Sequence, residues 1–249
     1  MIARAQLVDT LRQALEASSR VNAAWLGGSD ATGSADEASD IDLFADVADG
    51  CAAEVFEAIE AALQQVGAIG TLWVVPEPAW HGHRQRFYQL RDAPETLLVD
   101  AVLMERGSPA DRFDAREQHG EPVVLFDRIG VARARPLDRP AHEARLRQRR
   151  GQLVAREALF GGFAEKEARR GRPLDARWAY QAFLIAPLVE ALRMRYCPER
   201  FHFGERYTDR DLPPAPLRRL VELAYVRDLD DLIAKAPLAR AWLRQELQD

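Results

Sequence analysis

Cysteine is scarce in this chain: 249 residues hold two, Cys51 and Cys197, far apart and without a Cys-x-x-Cys spacing. That scarcity excludes a disulfide framework, argues against a structural zinc and predicts a reducing, cytoplasmic setting. Lysine is nearly absent too, with Lys166 and Lys235 the only two among 34 basic residues. No apolar run approaches the roughly 20 residues that a membrane span needs, so no membrane partner is expected. The first turns, Ile2 to Asp9, carry charge and read as an amphipathic helix, not a signal peptide. A Gly-x-x-x-x-Gly-Lys-[Ser/Thr] loop is missing, which disfavours a P-loop ATPase. Ser29 lacks the Gly-x-Ser-x-Gly setting of a hydrolase nucleophile, because Ala31 stands where the second glycine is needed. Internal repeats and low-complexity tracts are also lacking.

Charge is present but uneven. The formal net charge is -5, yet residues 1–130 carry 10 basic against 22 acidic side chains and residues 131–249 carry 24 against 17. The acidic half suits cations and the basic half can face a polyanion. A net negative chain with no recognisable nucleic-acid module makes nucleic acid an unexpected partner.

The densest signal lies between Trp25 and Val47, WLGGSDATGSADEASDIDLFADV. An apolar run ends in Gly27-Gly28-Ser29, a small-residue loop follows, and Asp40 and Asp42 bracket the start of a second apolar run. Strand periodicity of two puts both aspartates on one face, their Cα atoms roughly 6.6 Å apart. Two carboxylates so placed can share Mg²⁺ or Mn²⁺, hard cations that keep substrate phosphates in their shell. Gly27 and Gly28 offer bare backbone N–H groups, and Ser29 a hydroxyl, to phosphate oxygens. Asp100 is the only charge within Thr96 to Met104, a run of strand formers. A lone carboxylate there needs a metal, a partner or solvent to offset its desolvation.

Helical spacing predicts a first helix from Ala3 to Ser18 on Leu7, Leu11 and Leu15. A second runs from Cys51 to Gln65 on Val55, Ile59 and Leu63, stopped by Gly67. Strands are expected at Asn22 to Leu26, Ile41 to Ala45, Thr71 to Val75, Arg86 to Leu90, Thr96 to Met104 and Glu121 to Phe126. Proline and arginine alternate from Ala132, which sets a predicted boundary between residues 1–131 and 132–249. Beyond it lie a helical stretch from Ala141 to Arg169, a helix from Asp175 to Tyr196 kinked or broken near Pro187, a loop from Phe201 to Pro216, and short terminal helices.

An apolar residue, Gly28, Ser29, ten residues, then Asp40-Ile41-Asp42-Leu43, with Asp100 on a later strand, resembles the nucleotidyltransferase superfamily typified by DNA polymerase beta. Gly33 and Ser39 also fall where small bacterial members tend to have them. The motif resemblance covers roughly residues 20 to 105 and is nearest to minimal nucleotidyltransferases and aminoglycoside adenylyltransferases; the helical remainder matches only in architecture. It implies an α+β fold with a nucleotidyltransferase-type mixed sheet and a C-terminal helical bundle. It also implies transfer of a nucleoside monophosphate, AMP from ATP, to a hydroxyl of a small-molecule acceptor such as an aminoglycoside. Asp40, Asp42 and Asp100 would hold Mg²⁺ or Mn²⁺, with Asp100 orienting or deprotonating the acceptor hydroxyl. Gly27, Gly28 and Ser29 would hold the outer phosphates.

Candidates outside the motif are Glu190 for an acceptor amine, Arg193, Arg195 and Arg206 for the triphosphate, and Tyr207 for stacking on a base. Glu190 has a simpler alternative as a salt-bridged helix residue, paired to Arg193 or Arg195. His81-Gly82-His83 reads as a surface loop. Two other classes stay open: adenylylation of a protein or RNA partner, as in toxin-antitoxin pairs, and a non-catalytic nucleotide-binding module. A monomer or homodimer is expected. An acidic pocket would suit polycationic antibiotics, and a basic one RNA or phosphorylated metabolites.

Overall fold

A computed structural model describes residues 2–77, 79–108 and 115–248. The chain forms two compact units, Met1–Leu137 and Asp138–Asp249. Residues 132–137 stay with the first unit for identifiable reasons. Ala132 is buried against Ala23, Trp25, Val102 and Met104, Arg135 bridges to Ala115, and the Leu137 amide donates to Glu117 at 2.9 Å.

The first unit is α+β with a six-stranded mixed sheet. In chain order it contains α1 (Arg4–Ala17), β1 (Val21–Leu26), α2 (Gly28–Ala31), β2 (Ile41–Val47), α3 (Ala52–Val66), β3 (Ile69–Val74), β4 (Arg84–Leu90), β5 (Val99–Glu105), α4 (Arg116–His119) and β6 (Val123–Asp127). The sheet order is β3-β4-β5-β2-β1-β6; β2 and β5 are parallel and the other pairs antiparallel. Ile41, Leu43, Ala45 and Val47 of β2, with Val99, Ala101 and Leu103 of β5, share one core with the leucines of α1 and Val55, Ile59 and Leu63 of α3. Period-two alternation therefore turns Asp42 and Asp100 to the opposite face, beside Phe44 and Val102.

Gly67 ends α3 differently from expectation. Its backbone is extended, not left-handed, and a Cβ there would come within 2.8 Å of Ile2 Cδ1. The glycine lies against the Ile2 side chain, just ahead of α1, and forms no left-handed cap.

The second unit is helical: α5 (Arg139–Phe160), α6 (Phe163–Arg169), α7 (Pro173–Tyr180), a π-helical segment Gln181–Ile185, α8 (Ala186–Tyr196), a 3-10 turn Pro198–Arg200, α9 (Thr208–Asp211), α10 (Pro214–Ala224) and α11 (Leu229–Gln248). Asp138 caps α5 by accepting from the Ala141 amide at 3.1 Å. Gly161-Gly162 separates α5 from α6. The π segment lies just before Pro187, whose missing N–H makes a regular ladder impossible there. Leu153, Tyr180, Leu184, Leu188, Leu192, Leu232 and Leu243 form the centre of the core. Among the described residues no helix is long and apolar enough to cross a membrane.

Candidate functional site

The candidate site is assembled where β1 ends and the parallel strands β2 and β5 begin. Asp42 and Asp100 are direct register partners, each the second residue of its strand. Neighbouring strands are about 4.8 Å apart, so the two carboxylates leave the sheet side by side. Asp40 precedes β2 and is exposed, yet near enough for its charge to act on Asp100.

The Gly27-Gly28-Ser29 turn lies directly against this pair. The Gly27 amide donates to the Asp42 carbonyl at 2.9 Å. Gly28 has φ +52°, and a Cβ built on it would overlap the Asp42 carboxylate. A Cβ on Gly27 would stand 2.5 Å from Phe44 Cε2. Gly28 is thus required both for a left-handed backbone and for contact with β2, and Gly27 for contact with β2 alone. Gly28 then opens the single turn α2, whose first amides have no intrahelical acceptor. The Ser29 hydroxyl oxygen is buried without a hydrogen-bond partner.

Sequence reading missed three residues that support the site. Arg4, at the start of α1, pairs with Asp30 and donates to the carbonyls of Ser39 at 3.1 Å and Asp40 at 3.0 Å, tying the glycine turn to the aspartate loop. On β4, Gln85 Nε2 donates to both carboxylate oxygens of Asp100, at 2.7 and 2.9 Å. His81 completes a directed chain. Its Nδ1 accepts from the His83 amide at 3.0 Å, so the neutral ring carries its proton on Nε2, which faces Gln85 Oε1 at 3.1 Å. That donation fixes the Gln85 amide with its NH₂ toward Asp100. The expectation that His81 and His83 are surface residues is therefore corrected: His83 is buried and His81 is partly buried in this chain. Gln85 lies across from Val102 and Phe87 across from Asp100, so the Gln85–Asp100 contact follows from strand pairing and not from any local pattern.

Burial pushes the Asp100 carboxyl up to about 6; the Gln85 bond opposes this, the Asp40 charge adds to it, and His81 opposes it. The raised value has a defined consequence for stability. The unfolded chain releases this proton near pH 4 and the folded site near pH 6, so the contribution of Asp100 to stability falls as pH rises between them and is flat above. Asp100→Asn should remove that slope. In EDTA, urea unfolding should find the variant more stable than the parent above pH 6, by on the order of 1–2 kcal/mol after solvent screening, with the advantage gone below pH 4. Parallel pH profiles would contradict the assignment.

Among the described residues, no three His, Cys, Asp or Glu side chains are already grouped closely enough to hold a metal ion. Bare carboxylates repel, and the Asp40 charge adds a smaller upward push on Asp100 to the larger one from burial. The residues nevertheless fit a metal-bound triphosphate on three counts: an all-oxygen donor set with Asp42 and Asp100 on adjacent strands, a glycine turn packed against Asp42 too closely for any Cβ, and an unpartnered serine hydroxyl beside it.

No protein-family model matches the sequence, and no curated protein matches it. The site's geometry therefore carries the functional argument.

The remaining expected residues all lie in the helical unit. Arg193 is fully buried: it donates to the Gly204 carbonyl at 2.8 Å, to the Arg206 carbonyl, and to Asp211, which also pairs with Arg200. Its guanidinium is committed to internal bonds, so it acts as a strut where triphosphate contact was expected. Arg195 reaches Glu246 at 3.2 Å. Tyr207 is partly exposed at φ +60°, with Arg206 5.0 Å and Arg210 4.3 Å from its ring centre. Glu190 is ion-paired, but to Arg149 through both oxygens, at 2.6 and 2.8 Å, and not to Arg193 or Arg195. The sequence interval of 41 residues between the partners hid this pair.

Proposed function

We propose that the sheet unit is a metal-dependent nucleotidyltransferase, transferring a nucleoside monophosphate from a triphosphate, ATP in the first instance, to a hydroxyl of a small-molecule acceptor. The observation that carries this reading is the packing of Gly28 against Asp42 on the same strand ends that pair Asp42 with Asp100. A turn that presents amides and a hydroxyl is held against two adjacent carboxylates, which is what a triphosphate with its cations requires.

Asp40, Asp42 and Asp100 would hold Mg²⁺ or Mn²⁺, which when bound supplies charge neutralisation on the triphosphate and polarises its oxygens. The Gly28 amide and Ser29 Oγ donate to the outer phosphates and fix the leaving pyrophosphate; the Gly27 amide, expected from sequence to be bare, is instead spent on the Asp42 carbonyl and holds the turn against β2. Gln85 and His81 hold the Asp100 carboxylate in one orientation, with lone pairs away from Gln85 left to the reactants. Asp100 accepts the acceptor hydroxyl proton as that oxygen bonds to the α-phosphorus and the bond to pyrophosphate breaks. Positioning and electrostatics supply the rate, with no covalent enzyme intermediate.

Divalent metal should raise the thermal stability of the parent, by about 2.7 kcal/mol at 100-fold excess over its Kd. Asp42→Asn should abolish that gain while the metal-free variant is as stable as the parent or more so. A variant that responds to Mg²⁺ and Mn²⁺ as fully as the parent would remove Asp42 from the site.

A further inference from the structure

The helical unit contains a cleft of about 430 Å³, lined by Arg145, Gln148, Arg149 and Gln152 of α5, by Ala186 and Glu190 of α8, and by Phe201, His202 and Gly204 of the following loop. The α5 residues recur at three- and four-residue intervals and form one helix face. That volume lies within the usual range of small-molecule sites.

The cleft is built, not incidental. Its floor is the bidentate Arg149–Glu190 pair, in which the Glu190 side chain is only 14% exposed, and Arg149 Nη1 also donates to Gln152 at 3.2 Å. Its loop wall is pinned at two points. Arg193 holds the Gly204 carbonyl from below, through the buried network with Asp211 and Arg200. His142 accepts its place beside Phe201, with ring centres 5.4 Å apart, and bonds through Nε2 to the Pro198 carbonyl at 2.8 Å. Ordering two buried ionic groups to hold a loop is costly, and it fixes the wall before any ligand arrives.

The charge count decides what such a cleft can take. Two guanidiniums face one carboxylate. Glu190 is neutralised by Arg149, whereas Arg145 has no carboxylate partner among the described residues. The carboxamides of Gln148 and Gln152 add neutral donors. A polycation entering here would meet a net positive lining and a carboxylate already bonded through both oxygens. A phosphate group would find a guanidinium with its planar fork of donors unspent on any carboxylate.

We propose that this cleft is a binding site for a small organic phosphate monoester, anchored by Arg145 with Arg149 and the two glutamines. The proposal is independent of the nucleotidyl-transfer reading, because every residue it uses lies in the helical unit.

Calorimetric titration of the full chain in EDTA tests it, with phenyl phosphate and the aminoglycoside kanamycin as probes. Parent, Arg145→Glu, Arg145→Gln and Asp42→Asn would be compared, with circular dichroism to verify folding; Arg145 is exposed, so both of its variants should fold. Phenyl phosphate should bind the parent and Asp42→Asn alike, about tenfold or more weaker to Arg145→Glu and less severely weakened in Arg145→Gln. Three results would each overturn the proposal: no phosphate binding by the folded parent, equal binding by Arg145→Glu, or binding changed in Asp42→Asn with Arg145→Glu unaffected, which would put the anion at the sheet unit. Tight kanamycin binding that Arg145→Glu strengthens would also overturn it, in favour of an amine site at Glu190.

Discussion

Gly28→Ala should destabilise the sheet unit by on the order of 2–4 kcal/mol and abolish metal-dependent nucleotide binding. Two costs combine. A side chain at φ +52° is strained by roughly 1 kcal/mol, and its Cβ would overlap the Asp42 carboxylate, so either the turn or the aspartate must move. The two costs separate experimentally. Gly33 has a similar φ of +67° with nothing within 4 Å of a built Cβ, so Gly33→Ala should show the backbone cost alone. In an Asp42→Ala background the carboxylate is gone, and Gly28→Ala should then cost about as little as Gly33→Ala. A double-mutant cycle by urea unfolding measures the difference as coupling. Additive effects would mean that the turn and the aspartate are not in contact.

Arg193→Met should destabilise the helical unit by about 3–5 kcal/mol, because it strands buried Asp211 with Arg200 alone and leaves the carbonyls of Gly204 and Arg206 without their donor. The methionine fills comparable volume, so the loss reports the ionic network and not a cavity. Circular dichroism on heating should show that loss, while the metal response assigned to Asp42 survives wherever the sheet unit remains folded. Weakened nucleotide binding with unchanged stability would restore the triphosphate role expected from sequence.

The sheet unit was largely legible because its signals are local. Leu7, Leu11 and Leu15, Val55, Ile59 and Leu63, and the alternation in β2 and β5 each declare their element within a few residues. Asp42 and Asp100 declare their face by the same period of two. What could not be read is what depends on pairing across the chain. Nothing local shows that Gln85 reaches Asp100, because that follows from β4 lying beside β5, and no periodicity marks the two-residue bond by which the His83 amide sets the His81 tautomer. Glycines were read by composition but not always by cause: Gly28 serves contact and φ together, while Gly67 serves contact only. In the helical unit charge was the least readable feature. With arginine so frequent, sequence cannot tell a buried strut such as Arg193 from a cleft residue such as Arg145, since burial decides between them.

Calorimetric binding of ATP, with and without Mg²⁺, to the parent and to Asp42→Asn is the most direct measurement of the central claim. The predicted result is metal-dependent binding by the parent that is lost in a folded Asp42→Asn. Undiminished binding by the variant, or no binding of ATP or GTP by a folded parent with Mg²⁺ or Mn²⁺, would contradict a nucleotidyl-transfer site on β2 and β5.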